Sequence, residues 1–253
     1  MNWLNVIVSD SAKIFLSEPK LIFPKLVVSF AYGFLMLYSA NVISNLDFFN
    51  FYTVIFDILF LLLISFIVLF IDIVFSSMYS FLVSDFFSHK KISLVSALFS
   101  SLKKSVFVVP LVFVVILLFL LISALIQFLL VQFFGYNIYL SIILDFILVF
   151  FFVFIFYFIF PVLLLEKHSV FVGIKNSVFL SFSNWKKVSL ISLLSIFLSS
   201  LSFIVAFLVD SYYNSDNFFV FAFLFVLLRF FVAYINTYIY ILNPVFYFKG
   251  VSK

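Results

Sequence analysis

Six long apolar segments constrain what this chain can fold into more than any other feature. They are separated by short polar connections and lie at about 21–43, 50–83, 105–134, 138–165, 187–209 and 217–243. Each is long enough to cross the roughly 30 Å hydrocarbon core of a bilayer as an α-helix. Of 253 residues, 67% are hydrophobic and only 9% are charged, so a water-soluble globule would lack the polar residues that its surface needs. The sequence predicts an all-α, polytopic membrane protein with six transmembrane helices, and residues 1–253 form a single integral membrane domain.

Lysine is sorted between alternate connections, and this predicts the orientation of the helices. Lysine occurs in the N-terminal stretch (Lys13, Lys20 and Lys25), in the second and fourth connections and in the C-terminal tail, whereas the other three connections contain neither Lys nor Arg. Short loops rich in Lys and Arg stay in the cytoplasm, so both termini are expected there, with the protein in the cell membrane. Seven lysines of the inner connections are candidates for contact with anionic lipid headgroups: Lys90, Lys91, Lys103, Lys104, Lys175, Lys186 and Lys187.

Three segments on the same side as these lysines have the spacing of amphipathic helices. In the second connection one helical face holds Ile92, Val95, Phe99 and Leu102; in the fourth it holds Phe171, Ile174, Val178, Phe182 and Trp185. The N-terminal stretch repeats the pattern with Leu4, Ile7, Ile14 and Phe15. Helices of this kind lie in the membrane interface with the apolar face toward the acyl chains. Three cytoplasmic-side interfacial helices are therefore expected.

The order of these parts indicates an internal repeat. Each third of the chain contains an interfacial helix, a lysine cluster, an outward span, a short outer turn and a returning span. The units are about 1–83, 84–165 and 166–253, and two of the outer turns lie at 45–47 and 214–216. The pattern favours a threefold repeat of helix-hairpin units, although any six-span chain with three inner connections shares part of it.

Four charged residues lie inside the apolar segments: Asp57, Asp72, Asp145 and Arg229. A charge at the centre of a bilayer costs about 2.5–3.5 kcal/mol on insertion scales, so each needs a partner or a function. Arg229 is the only arginine, and Ala222, Ala233 and Asn236 share its helical face, which is expected to point into the bundle. Asp72 and Arg229 lie at similar depths in their spans. We therefore expect an Arg229–Asp72 pair.

Two interpretations of the polar residues in the spans remain open. Either the charged side chains and the stripe of Asp57, Ser65, Asp72, Ser76 and Tyr79 form a polar path for a cation or proton, or they form a packing network that selects helix partners. The fifth span carries small residues on one face, which predict a packing seam or, alternatively, a hydroxyl-lined conduit: Ser192, Ser195, Ser199, Ser202 and Ala206. Gln127, one turn after Ser123, is expected to bond between helices.

Signatures of enzymes are missing from the sequence. The chain has no cysteine and only four glycines, so thiol chemistry and Gly-rich phosphate cradles are excluded. Its two histidines, His89 and His168, lie near Asp85 and Glu166 in inner connections, without the spacing of a metal site. We expect a non-enzymatic protein with no cofactor, no metal and no nucleic-acid partner.

One region has a recognisable pattern. Pro161-Val-Leu-Leu-Leu-Glu166 is followed by Gly173-Ile-Lys-Asn-Ser177 and then by Asn184-Trp-Lys-Lys187 at the start of the next span. Over about residues 155–195 this resembles prokaryotic six-span membrane domains of unknown function, similar to the membrane domain attached to some glycerophosphodiester phosphodiesterases. In those enzymes a separate soluble domain is catalytic, and no such domain lies within residues 1–253. The resemblance implies a prokaryotic membrane domain without catalytic residues.

Two functions follow from these features. The first is a lipid-contacting scaffold or accessory subunit, whose lysines bind anionic headgroups on the cytoplasmic side and which docks a membrane protein partner. The alternative is a small transporter or channel that uses Asp57, Asp72, Asp145 and Arg229. The few glycines and the absence of helices with matched Gly or Pro interruptions favour the first.

Overall fold

The computed structural model describes residues 2–44, 51–135, 137–166, 169–211 and 218–251. Several features of the sequence lie outside these residues: the outer turns at 45–47 and 214–216, His168, Lys167 of the fourth connection and Lys253 of the C-terminal tail.

Every described element is helical, which confirms the all-α class. The elements are α1 (Asn2–Ser17), a 3-10 turn (Pro19–Leu21), α2 (Ile22–Ser44), α3 (Phe51–Phe87), α4 (Leu94–Phe134), α5 (Ile138–Ile155), α6 (Ile159–Leu165), α7 (Val170–Ser183), α8 (Trp185–Ser211), α9 (Phe218–Phe246) and a π-helical turn (Tyr247–Val251). Within the described residues, six helical segments are long and apolar enough to cross a membrane, the fourth comprising α5 and α6. A multi-pass membrane fold is therefore shown.

The membrane helices pack in chain order around a shared interior. Each of α2, α3, α4, α5, α8 and α9 contacts the next in this series, and α9 returns to contact α2. The α3 helix also contacts α9 across the interior, and the short α6 packs on α3 and α7. This arrangement places the inward faces of α2, α3, α5, α8 and α9 around a common space.

Both described ends of the chain lie at one end of the bundle, here called the inner end. Lys249, in the π-helical turn, forms an ion pair with Asp10 of α1, and the Tyr238 hydroxyl donates to the main-chain carbonyl of Val8 at 3.1 Å. The largest hydrophobic core is also here, where Ile14 of α1, Leu82 of α3 and Leu242 of α9 are almost fully buried. The outer halves of the helices, by contrast, expose many large apolar side chains, as lipid-facing surfaces do.

Two of the three predicted interfacial helices are separate elements, and one is not. The α1 and α7 helices stand alone, but the amphipathic segment of the second connection forms the first turns of α4, which runs without interruption from Leu94 to Phe134. Ser93 caps this helix by accepting from the amide of Ser96 at 3.3 Å, and no glycine or proline occurs before Pro110. Between α7 and α8, by contrast, Asn184 leaves helical geometry (ψ 29°) and ends α7.

The fourth span is broken, which was not predicted. Helix α5 ends at Ile155, α6 starts at Ile159, and Pro161 lies in the first turn of α6. Proline has no N–H, so the carbonyl four residues earlier, that of Tyr157, receives no helical hydrogen bond. The side-chain amide of Asn243 in α9 donates to this carbonyl instead, and the Ser181 hydroxyl of α7 donates to the carbonyl of Ile155 at 3.4 Å. A break at membrane depth is tolerated because neighbouring helices satisfy its carbonyls.

Candidate functional site

Two cavities lie inside the bundle, and they are the candidate functional site. The larger, about 780 Å³, lies between α3, the α5–α6 break, α8 and α9, and we call it the inner chamber. The smaller, about 430 Å³, lies between α2, α3, α8 and α9, and we call it the charged chamber. Ser199, Phe203 and Tyr240 line both, so the two chambers meet along a common wall. Protein interiors leave few voids larger than a water molecule, so spaces of this size need an explanation.

An ion pair between Lys25 and Asp72 forms part of the charged chamber. The Lys25 ammonium lies 2.7 Å from Oδ1 of Asp72 and donates to the hydroxyl of Ser76 at 2.6 Å. Ser76 in turn donates to the same carboxylate oxygen at 2.9 Å, and the Tyr32 hydroxyl donates to Oδ2 at 3.3 Å. The two charges thus share a closed set of hydrogen bonds between α2 and α3.

The lysine and the aspartate of this pair differ in their access to the chamber. The Lys25 side chain is 3% exposed, and its Nζ lies 3.5 Å from the centroid of the Tyr240 ring, so an aromatic face also stabilises the cation. The Asp72 side chain is 21% exposed. The carboxylate is therefore the more accessible member of the pair.

Arg229 lines the same chamber but does not pair with Asp72. Its residue surface is 2% exposed and its guanidinium lies over the Phe225 ring at 5.0 Å, so the prediction that its face points into the bundle is confirmed. Ser29 donates to its main-chain carbonyl at 3.0 Å, and a Cβ at Gly33 would lie 2.5 Å from its Nε, so a larger residue there would force the Arg229 side chain to move. The predicted Arg229–Asp72 ion pair is wrong, because Lys25 occupies the carboxylate.

The sequence does contain a signal for Lys25. The first span is predicted to begin near residue 21, which places Lys25 within it, yet the sorting of lysines counted this residue with the cytoplasmic N-terminal stretch. In the structure α2 begins at Ile22, and Lys25 faces α3 from its first turn. Tyr32 and Tyr240, which complete its surroundings, were not identified because aromatic residues are too common in this chain to single out two of them.

The other two intramembrane carboxylates lie apart from the chambers. Asp145 accepts hydrogen bonds from Ser123 at 2.9 Å and from Gln127 at 3.0 Å, and Ser141 donates to the Gln127 amide oxygen at 2.8 Å. This network joins α4 to α5, so the prediction that Gln127 bonds between helices is confirmed. Asp57 is half-buried near the outer end of α3 and is not among the described residues that line either chamber.

The serine face of α8 borders both chambers. Ser192 and Ser202 are buried, as expected for a packing seam, but Ser195 and Ser199 line the inner chamber, and Ser199 and Ser202 line the charged one. The predicted seam is therefore only part of the role of these residues. Small side chains here leave room for the chambers and supply hydroxyl groups to them.

The inner chamber is lined mainly by apolar side chains from the break and from α8, with polar atoms at a few points. Three polar atoms of lining residues are buried and form no hydrogen bond of normal geometry within the described residues: the Tyr157 hydroxyl, the Ser195 hydroxyl and Oδ1 of Asn243. Tyr157 and Ser195 are 6% and 7% exposed. Their hydroxyls lie close enough to interact electrostatically without meeting that geometry. Each of the three atoms has less than 1 Å² of accessible surface, so they are enclosed by neighbouring side chains and do not face the chamber.

The headgroup lysines are at the inner end and are mostly exposed. Lys90, Lys91, Lys103, Lys175 and Lys186 are exposed, and Lys104 and Lys187 are half-buried. The face of α7 beside them is strongly apolar: Phe171 is 85% exposed. Trp185, at the start of α8, has the Lys186 ammonium 5.5 Å from its ring.

The side chains that line the two chambers can form ion pairs and hydrogen bonds and can exchange one partner for another. Within the described residues no three His, Cys, Asp or Glu side chains come together to hold a metal ion. Comparison with protein-family models, with curated proteins and with solved structures finds no match to this chain.

Proposed function

We propose that this protein is a small membrane transporter whose solute occupies the two chambers. The observation that carries the proposal is the Lys25–Asp72 ion pair, buried in a membrane-spanning bundle and forming the wall of a cavity. A buried ion pair adds little net stability over apolar residues of similar volume, so packing alone does not explain its presence. Ionisable residues at membrane depth usually belong to a solute or ion pathway.

The break in the fourth span supports this proposal. Transporters commonly place non-helical backbone where it lines a cavity at the solute site. Here Phe156 and Tyr157 of the break line the inner chamber, opposite Pro244 of α9, where the helix gives way to a π-helical turn. The sequence argument against transport rested on the few glycines and on the absence of helices with matched Gly or Pro interruptions, and it did not include the break between α5 and α6.

The ion pair supplies a mechanism for coupling. Asp72 is the accessible partner, so a cation, a proton or a hydrogen-bond donor in the charged chamber competes with Lys25 for the carboxylate. The pair joins α2 to α3, since its two residues lie 47 positions apart in the sequence. Release of Lys25 would therefore weaken the contact between these two helices. Occupancy of the chamber is thus linked to the packing of two helices that contact each other.

The test is flux through proteoliposomes that contain the purified protein, with gradients of protons, potassium ions and glycerol applied in turn. We expect flux of one of these above that of empty liposomes, and its loss in the Lys25→Met/Asp72→Leu double variant, which removes both charges together. Asp145→Asn is the matched control, because Asp145 lies outside both chambers, and its flux should equal that of the wild type. No flux of any of the three, or equal flux in the double variant, would contradict the proposal.

A second function, the lipid-contacting scaffold or accessory subunit, is favoured by the inner surface. Lys175 on α7 and Lys186 at the start of α8 are exposed, and the rings of Phe171 and Phe179 on α7 are largely exposed as well. Such a surface suits the membrane interface on the cytoplasmic side of a cell membrane, with acyl chains against the aromatic rings and anionic headgroups against the ammonium groups. In this second function the protein is not an enzyme, and it uses this surface beside a membrane protein partner. The same molecule can also be a transporter, because the chambers lie elsewhere.

Changing Lys90, Lys91, Lys103 and Lys104 together to Gln should weaken binding to anionic lipid about tenfold or more, because each lysine near a charged surface contributes about 1 kcal/mol. Retention of lipid would be measured by native mass spectrometry of protein in nanodiscs of mixed neutral and anionic lipid. Lys20→Gln is the control, since Glu18 already pairs with Lys20 at 3.0 Å. Unchanged retention in the fourfold variant would contradict the headgroup role of these lysines.

A further inference from the structure

We infer that the charged chamber binds a small, uncharged solute with several hydroxyl groups, of the glycerol class. The inference rests on the proposed function in treating the chamber as a solute site, and it names the chemical class of the solute. It is carried by two polar side chains of the lining, Ser202 of α8 and Asn236 of α9. Both keep accessible surface on their polar atoms, and neither side chain has a hydrogen-bond partner within the described residues.

The helical positions of these two side chains direct them into the chamber. On α9, Asn236 lies four residues after Val232 and four before Tyr240, and all three line the chamber. On α8, Ser202 lies one turn after Ser199, which also lines it. Residues at this spacing share one face of a helix. Asn236 and Ser202 therefore face the same space from two different helices.

The serine is the more buried of the two. Ser202 is 5% exposed, yet its hydroxyl keeps accessible surface, unlike the enclosed hydroxyl of Ser195. It also differs from Ser65, which donates to the Leu61 carbonyl of its own helix at 2.8 Å. Asn236 is half-buried and offers both a donor and an acceptor. Buried polar groups are nearly always bonded, so these two point to an occupant that supplies the missing hydrogen bonds.

Asp72 adds an acceptor from α3. Its Oδ1 is held by the Lys25 ammonium at 2.7 Å, whereas within the described residues Oδ2 accepts only a long hydrogen bond, from Tyr32 at 3.3 Å. Acceptors are thus offered by Asp72 and Asn236, and donors by Asn236 and Ser202. A hydroxyl group both donates and accepts, so a solute with several hydroxyls matches this mixed set. An ether or a hydrocarbon cannot donate and does not match it.

The charges of the lining favour a neutral solute. Among the described residues that line the chamber, the charged ones are Lys25, Asp72 and Arg229. A cation would find Asp72 already paired with Lys25, and Arg229 in the same wall. An anion would meet the carboxylate first, since Lys25 and Arg229 are almost fully buried. Either ion would be buried beside a charge of its own sign, at a cost that a neutral solute avoids.

The size of the chamber favours a compact solute. Its volume is about 430 Å³. This is near the lower end of the range of about 300–1,000 Å³ that small-molecule sites commonly have. A short polyol fits such a space without a long apolar chain.

The experiment measures binding to the whole protein in nanodiscs by saturation-transfer NMR, which detects weak ligands. Four probes of similar size are compared at pH 7: glycerol, its anionic analogue glycerate, its cationic analogue serinol, and glycerol trimethyl ether, which cannot donate. We expect saturable binding of glycerol, absent from empty nanodiscs, and binding of the other three weaker by about fivefold or more. No saturable binding of glycerol, or equal binding of any other probe, would overturn the inference.

Two variants separate solute binding from folding. Ser202→Ala and Asn236→Leu should each weaken glycerol binding about fivefold, the worth of one hydrogen bond. Neither variant loses a side-chain hydrogen bond within the described protein, so the unfolding midpoint without solute should stay the same or rise. Ser65→Ala is the matched control, since Ser65 bonds within its own helix and does not line the chamber. Unchanged glycerol binding in both chamber variants would overturn the inference.

The transport proposal and this inference fail in different ways. Selective glycerol binding that both chamber variants weaken, without flux of any tested solute, supports the inference and contradicts transport. Flux of protons or potassium ions that depends on Lys25 and Asp72, without selective glycerol binding, supports transport and overturns the inference.

Discussion

Asp72→Leu is expected to lower the free energy of unfolding by about 3–5 kcal/mol, the usual result of removing one member of a buried ion pair. Lys25 would keep its charge in a position where only 3% of its side chain is exposed, with the Ser76 hydroxyl and the Tyr240 ring as its remaining neighbours. The change is measured by chemical unfolding of the purified protein in mixed micelles, by circular dichroism.

Two double variants identify the partner. Lys25→Met/Asp72→Leu removes both charges and should restore stability to within about 1 kcal/mol of the wild type, since apolar replacement of a whole buried pair is often neutral. Asp72→Leu/Arg229→Leu should not recover, because the ammonium of Lys25 remains unpaired. If Asp72→Leu/Arg229→Leu recovered stability and Lys25→Met/Asp72→Leu did not, the partner of Asp72 would be Arg229 and not Lys25, contrary to the structure.

The membrane spans could be predicted closely because they depend on local composition. A helix that crosses a bilayer needs about 20 apolar residues, and this requirement is visible in any single stretch of sequence. The predicted segment 187–209 became Trp185–Ser211, and 217–243 became Phe218–Phe246. The predicted inner helix of the second connection, by contrast, merged with α4, because amphipathic spacing shows which face is apolar but not where a helix stops.

The site was only partly predictable, because its contacts join residues far apart in sequence. Asp72 and Arg229 were identified from the cost of their charges, and both line the charged chamber. The pairing of Asp72 with Lys25 was not identified, because the sorting of lysines describes orientation in the membrane and says nothing about the contact between Lys25 and α3. The inner chamber was found only in part: Ser195 and Ser199 belong to the predicted serine face of α8, whereas Tyr157 and Asn243 come from two other spans and share no periodic pattern with it.

Asn243→Leu should lower the free energy of unfolding by about 1–3 kcal/mol, the cost of leaving a buried carbonyl without a donor. The carbonyl is that of Tyr157, freed because Pro161 has no N–H, and Asn243 reaches it from α9 across 86 residues of sequence. The same unfolding measurement in mixed micelles reports the change.

Pro161→Ala tests whether the asparagine acts through the proline. Alanine returns an N–H that can bond the Tyr157 carbonyl within the helix, so the carbonyl no longer depends on Asn243. In this background Asn243→Leu should therefore cost at least about 0.5 kcal/mol less than in the wild type, a coupling that a double-mutant cycle resolves. Additive effects would mean that Asn243 stabilises α9 by some other contact. A positive coupling would show that Asn243 holds the broken span together by satisfying the carbonyl that Pro161 leaves without a helical donor.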